Sequence, residues 1–550
     1  RLHRRRDDAS TRGLVGCRAS PSGMDPDQRR SLTPETNISD FLSSLLTTVS
    51  QGFFQPNTGG PNIPQAEGVL SDLVGDEPLF KALYNMFMEN GGIFRLAFGP
   101  KCFLVVSDPV IVRHLLKDNA FNYDKGVLAE ILKPIMGKGL IPADLETWKP
   151  RRRAVVPGFH MAYLDCMVHM FGRCTERAVS KFEKMTASSS TGEATVDMEV
   201  EFLNVALDII GLGVFNYDFD SITSESPVIQ AVYGVLREAE HRSTTYLPYW
   251  NLPLADRLVP RQVRFRKDIT MINEVLDELI DQAKQTQVEA DLEALQSRDY
   301  SKVKDPSLLR FLVDMRGEDA SNQQLRDDLM TMLIAGHETT AAVLTWALHC
   351  LLDNPGELAK ATEEVDRVIG DRMPTIADIK EMKQVRMVLS ESLRLYPQPP
   401  ILIRRALDED VLPPGIGGDE NGYKIGKGTD LFISVWNLHR SPLLWKDPDL
   451  FRPSRYEEDA PEGRGDWAGW SDMRETLYPS EKSTDFAYVP FGGGPRKCLG
   501  DQFALMEAVV MLSVLLRRFD FSRDESRGSP GMKTGATIHT ADGLWMNVKK

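Results

Sequence analysis

Ten residues from Phe491 to Gly500, Phe-Gly-Gly-Gly-Pro-Arg-Lys-Cys-Leu-Gly, constrain the fold more than any other stretch of this chain. Three consecutive glycines and a proline let the backbone turn tightly and come close to a neighbour. A helix-patterned run from Gly500 to Arg518 follows at once, so Cys498 falls at a predicted helix N-terminus. Unpaired N–H groups and partial positive charge there favour a thiolate. The alternative for a lone cysteine beside a turn is an inert buried thiol.

The longest apolar stretch, Leu329 to Leu352, is broken by His337, Glu338, Thr339 and Thr340, which reads as a buried core helix and not a membrane span. An acid and two hydroxyls inside such a helix are costly without a purpose. A capping cluster or a satisfied core pair is the plainer alternative. His337 reads as a packed or solvent-facing histidine, not a metal ligand. Further on, Glu391 and Arg394 stand three apart on one helix face between apolar residues. Most such pairs are surface ion pairs of little energetic weight.

With 550 residues, 42% of them apolar, the chain can bury a large core. No Gly/Ser linker, repeat or central charge block divides it, so we expect residues 69–550 to form one domain. Residues 1–68 read as an N-terminal tail and linker. The first 31 residues hold eight Arg and four Asp, the pattern of either an organelle transit-peptide remnant or a plain tail. Residues 38–49 have the spacing of a short amphipathic helix, which would rest on a membrane surface or pack on the domain. The net charge of −14 argues against nucleic acid as a partner. Six scattered cysteines without a CxxC pair argue against a disulfide framework or a zinc site.

The fold class expected is mainly α with small β-sheets. Strands are predicted over 92–99, 101–107, 401–406 and 430–436. Helices are predicted near 109–117, within 161–217 and 227–290, and over 324–352, 356–369, 387–395 and 500–518. Residues 119–147 read as irregular, 457–483 as an exposed insertion, and the tail to 550 as β.

Phe491, Gly494, Arg496, Cys498 and Gly500 resemble the cytochrome P-450 pattern F-x-x-G-x-R-x-C-x-G at every defining position. Ala335-Gly-His-Glu-Thr-Thr340 resembles the oxygen-binding helix of the same family. The resemblance implies a single large helical haem domain with haem b (iron protoporphyrin IX) held by Cys498; ligation by a cysteine thiolate is a general property of that family. It implies that Phe491 shields the sulfur and Arg496 pairs with a haem propionate. Trp148 and Arg152 match a W-x-x-x-R propionate motif, with Pro150 tolerable only in the first turn of its helix. Arg404 matches a further propionate arginine, and Arg405 competes with it. Glu391, Arg394 and Arg455 map onto a buried structural triad, although Ser454 and Tyr456 depart from the usual neighbours of that arginine. Glu338 and Thr339, with Thr340, would relay protons to dioxygen, Gly336 would leave room for it, and Thr339 would bond back to a carbonyl.

Ile401, Leu402, Ile403, the segment 119–147 and Thr537 to Thr540, Ile538 among them, are the candidate substrate-pocket residues, mostly apolar, and suit a large lipophilic molecule. Lys149, Arg151, Arg152, Arg153, Arg496, Lys497, Arg517 and Arg518 are expected to cluster and steer an acidic electron donor, a ferredoxin or a flavoprotein reductase. The segments 325–346, 391–405, 436–442, 491–508 and 533–544 resemble the plastid carotenoid-ring hydroxylases of plants and algae, over roughly residues 70 to 550. That likeness implies hydroxylation of β- or ε-rings in a plastid by a chain without a transmembrane helix; the ring type stays open. A fatty-acid hydroxylase on the same fold, or a haem isomerase or lipophile carrier, are the other readings.

Overall fold

A computed structural model describes residues 60, 62–66, 77–98, 101–224, 226–244, 249–286, 305–316, 321–457 and 476–550. Residues 1–59, with the tail and the 38–49 segment, lie outside the described residues, as do 458–475 of the expected insertion.

Helices dominate, and the longest of them organises the rest. Ser321 caps it, its side chain accepting from the Gln324 amide, and it runs from Asn322 to Asp353. Leu325, Leu329, Leu333, Leu344 and Leu348 are all buried on this central helix, which packs against helices Met198–Ile210, Lys383–Leu395 and Asp501–Arg518. The last of these carries an almost unbroken buried run from Leu505 to Leu516, as a helix covered on all sides requires. No helix among the described residues is long and apolar enough to cross a membrane.

The main sheet has five strands in the order Ile93–Phe98, Lys101–Val106, Asp430–Ser434, Ile401–Ala406, Tyr123–Asp124. Among these five strands only the pairing of Lys101–Val106 with Asp430–Ser434 is parallel, Phe103 standing opposite Asp430. Smaller sheets join Glu193–Asp197 to Trp545–Lys549 and Asp520–Arg523, and Met532–Thr534 to Ile538–Thr540.

Four expectations need correction. The segment 119–147 is not irregular throughout, because Gly126 and Gly137 bound a helix over Val127–Met136 that tolerates Pro134. Pro150 lies in the second turn of helix Leu145–Val155, not its first. Residues 62–66 are not linker: Ile63 and Ala66 are buried, and Ala66 N–H donates to the Arg95 carbonyl at 2.9 Å. From the expected insertion, Leu477 and Tyr478 are buried in the core.

Candidate active site

The turn Gly493–Lys497 is built by close approach. Gly494 has φ +64°, and a Cβ there would stand 1.8 Å from the Leu116 carbonyl oxygen, so only glycine fits. The Cys498 amide donates to Phe491 O at 2.8 Å and closes the loop. Phe491 is half-buried, its ring 4.9 Å from that of Tyr478. Gly500 caps the following helix but has room for a side chain, the nearest atom being 3.7 Å away on Phe159.

Cys498 lies deep within the protein and yet is accessible, the combination of a residue facing an internal cavity. Burial, followed by the charge of Asp501, pushes its thiol up to about 11; the Gly500 amide, Arg152 and Lys497 pull the other way and lose. Burial thus works against the thiolate that the helix N-terminus favours. A cation at the sulfur would be needed to hold the thiolate.

Beside the sulfur, four basic side chains converge. Burial, and then the Arg404, Arg496 and Arg152 guanidiniums, hold the Lys125 amine well below its usual range. Arg404 is brought down to about 10 by burial and by Arg496. None of the four makes an ion pair with a carboxylate among the described residues. Arg496 gives one hydrogen bond, to Ala143 O at 3.2 Å, while its Nε and second terminal nitrogen are buried without a partner. Trp148 lies against two of the group, its ring centroid 5.0 Å from the Arg496 guanidinium and 5.7 Å from that of Arg152. Unpaired buried cations are costly, so the arrangement calls for an anion. A thiol and a set of bare cations facing one enclosed space fit a haem, whose iron takes the sulfur and whose carboxylates take the cations.

The choice between Arg404 and Arg405 is made by the strand. Arg405 donates to both oxygens of Asp430 at 2.8 Å and to Glu130 at 2.6 Å, outside the cavity. Lys125 was not legible in sequence; it sits in a segment read as irregular.

Glu391, Arg394 and Arg455 form a buried ionic triad. Arg394 grips Glu391 with two 2.9 Å hydrogen bonds, and Arg455 donates to Glu391 Oε1 at 2.8 Å. The arginines' other nitrogens satisfy the carbonyls of His439, Pro448, Leu450 and Lys446. The triad thereby ties down the loop that leads toward the cysteine turn.

On the central helix, Ala335, Gly336, Glu338 and Thr339 are partly buried while their flanks are fully buried. Thr339 donates to Ala335 O at 2.7 Å. Thr340 is buried; its hydroxyl donates to Gly336 O at 3.2 Å and lies beside the enclosed Glu507, which burial holds well above the usual carboxylate range. Thr340 thus faces a neighbouring helix and not the cavity. At Gly336 a Cβ would meet Ile210 Cδ1 at 2.3 Å, so the missing side chain also admits the neighbouring helix. His337 is fully buried near Tyr233, and desolvation lowers it to about 4, leaving it neutral.

Glu338 has partners that sequence reading missed. His539 Nε2 stands 2.6 Å from Glu338 Oε1 and His539 Nδ1 stands 3.0 Å from Glu199 Oε1. The Thr537 hydroxyl donates to Glu338 Oε1 at 3.2 Å. Burial alone would raise Glu338, but His539 and Thr537 outweigh it and hold the carboxyl below its usual range.

Of the pocket candidates, Ile401, Leu402 and Ile403 are half-buried on their strand. Thr537 is taken up by Glu338. Ile538 is fully enclosed with Phe80, Trp346 and Trp436, and its carbonyl accepts from the Trp346 indole, which removes it from the pocket wall. The expected basic cluster is largely spent. Arg151 pairs with Asp328, Lys497 with Glu481 and Asp501, Arg517 with Asp371, and Arg518 lies 3.7 Å from Glu176 and Glu183. Lys149 and Arg153 are its exposed members.

Comparison with known proteins agrees with this geometry. The family model described as Cytochrome P450 matches residues 61–542. The chain is 56% identical to "Cytochrome P450 97B2, chloroplastic" of Glycine max, over 94% of this chain and 88% of that protein. It is 50% identical to "Protein LUTEIN DEFICIENT 5, chloroplastic" of Arabidopsis thaliana, over 89% and 77%. It is 44% identical to "Carotene epsilon-monooxygenase, chloroplastic" of the same plant, over 93% and 89%.

Proposed function

Since the chain belongs to the cytochrome P450 family and is a haem-iron monooxygenase dependent on an electron donor, we propose that it hydroxylates the β- or ε-ionone ring of a carotene in plastid xanthophyll formation. The likeness to a relative named for carotene ε-monooxygenation, which runs nearly the whole chain, carries this reading. The half-buried apolar strand Ile401–Ile403 supports it, because a carotene ring offers only apolar surface. The catalytic domain, in this reading, takes in the residues matched by the family model, 61–542, and the terminal sheet.

Bound haem b supplies the dioxygen-activating chemistry. Cys498 would hold its iron, and Arg152, Arg404, Arg496 and Lys125 would take up its carboxylates. Trp148 orients the guanidiniums of Arg152 and Arg496 by stacking beside them. Ile401, Leu402 and Ile403 exclude water from the substrate. Thr339, its proton committed to Ala335 O, presents oxygen lone pairs that accept a proton donor, and Glu338 is the ionisable group that moves protons along the same helix face. The donor would be a ferredoxin or a flavoprotein reductase. With so much of the basic cluster internally paired, docking would rest on Lys149, Arg153 and shape more than on a broad positive field.

The test is turnover with a reduced ferredoxin system under isotopically labelled dioxygen, with β-ring carotene, ε-ring carotene and a long-chain fatty acid offered in parallel. Ring-hydroxylated carotene carrying one labelled oxygen is expected. Hydroxylated fatty acid alone, or carotene bound without dioxygen-dependent product, would overturn the assignment.

A further inference from the structure

Glu338 is anchored to His539, far along the chain in the hairpin Met532–Thr534/Ile538–Thr540. His539 lies between two carboxylates from different helices: Glu338 on the central helix at 2.6 Å and Glu199 in the first turn of helix Met198–Ile210 at 3.0 Å. Each ring nitrogen stands at hydrogen-bond distance from a carboxylate oxygen, Nε2 also lying 2.9 Å from the Thr537 hydroxyl, an arrangement that suits an imidazolium donating from both nitrogens. The hairpin Met532–Thr534/Ile538–Thr540 aims the ring. Its neighbours hold the arrangement: Thr540 donates its hydroxyl to Glu199, and Thr537 donates to Glu338. Ile538, between them, is locked by hydrogen bonds to Gln398 and Trp346. The histidine side chain is 21% exposed, against 12% for Glu199 and 15% for Glu338, so protons from solvent reach the ring edge.

We propose that His539 is the positioning residue for proton delivery, clamping Glu338 in its ionised form between the cavity face of the central helix and Glu199. This rests on the assignment of Glu338 as the proton-moving acid. Without the clamp, Glu338 would be a carboxylate half-enclosed in an apolar helix, and desolvation would push it toward the neutral, undirected form. With it, Glu338 stays ionised, its Oε1 held by the ring N–H at Nε2 while Glu199 holds Nδ1–H, and its carboxylate keeps one direction along the helix face. The energetics of the cluster agree: burial opposes the charged ring, but the two carboxylates raise His539 to about 10. The other titratable groups near the cluster are His337, neutral beside Glu338, Tyr233, with Arg237 behind it, and Glu240, whose carboxyl reaches the same hairpin at Gly535.

Four holoenzyme variants test this: His539→Gln, His539→Lys, Glu199→Gln and Glu338→Gln. Two quantities are measured, product formed per dioxygen consumed across pH, and the infrared band of a protonated carboxyl at neutral pH, which needs no turnover. In His539→Gln the product-to-oxygen ratio falls about tenfold or more. The acid limb of its pH profile moves to higher pH, and a protonated-carboxyl band appears that Glu338→Gln lacks. His539→Lys, which keeps a cation between the carboxylates, recovers most of the ratio and abolishes the band. Glu199→Gln shows the same changes as His539→Gln, more weakly, and serves as the test if His539→Gln does not fold. Should His539→Gln, or Glu199→Gln in its place, match wild type in ratio, profile and band while Glu338→Gln is uncoupled, the role of His539 is refuted and that of Glu338 survives. Should Glu338→Gln itself stay coupled, the proton-moving role of Glu338 fails first.

Discussion

Arg404 and Arg405 are chain neighbours that serve opposite faces of one strand: Arg404 turns into the cation cluster beside Cys498, and Arg405 grips Asp430 and Glu130 outside it. The alternation of a β-strand alone assigns the two roles. Arg404→Ala should therefore loosen haem, speeding its loss to an apo-globin scavenger about tenfold, as removal of one charge-assisted hydrogen bond implies. Arg405→Ala should leave haem loss unchanged and lower the melting temperature slightly.

The triad predicts a stability defect instead of a catalytic one. Glu391 is held below the usual carboxylate range because, although burial raises it, Arg394 and Arg455 outweigh burial. Glu391→Ala strands two buried guanidiniums and should cost about 3–5 kcal/mol. The expected outcome is loss of holoprotein on expression, measured as haem absorbance per unit of purified chain. In the wild type this contribution is present above the unfolded carboxylate range and is lost as pH falls through the lower folded value.

Gly336 and Ile210 make a compensating pair. Gly336→Ala should destabilise by about 1–3 kcal/mol as its new methyl meets Ile210 Cδ1. Adding Ile210→Val, which removes that atom, should restore much of the loss in thermal unfolding. A failure to compensate would mean that the glycine serves the cavity and not the helix contact.

His539 gives the clearest pH signature in stability. Its folded value, about 10, lies above the ordinary histidine value of 6.5, so its stabilisation is complete below 6.5 and is lost as pH rises toward 10. The melting-temperature gap between wild type and His539→Gln should shrink steadily from pH 7 to pH 10. A gap that is constant over this range would show that the ring is not charged.

Local signals were legible in the sequence and distant ones were not. The cysteine turn could be read because Gly494, Arg496 and Cys498 lie within five residues, where spacing fixes geometry. The central helix could be read because its apolar run is interrupted at one place only. By contrast, Arg404 and Arg405 are indistinguishable until the strand has a face, and Lys125 joins the cation cluster only through tertiary folding. Glu199, Glu338 and His539 lie on three elements far apart in the chain, with no periodicity to connect them. Helix Val127–Met136 was missed because Gly126, Pro134 and Gly137 crowd it with turn signals. The basic cluster was overread because Asp328, Asp371, Glu176 and Glu481, its partners, come from other elements.

The central claim is that Cys498 holds the haem iron as a thiolate, and the carbon monoxide difference spectrum of reduced holoprotein tests it most directly. The wild type should show the long-wavelength Soret band of a thiolate-ligated haem, and Cys498→Ala should lose it. A purified holoprotein whose band is that of a nitrogen-ligated haem, or a Cys498→Ala protein that keeps the thiolate band, would contradict the account.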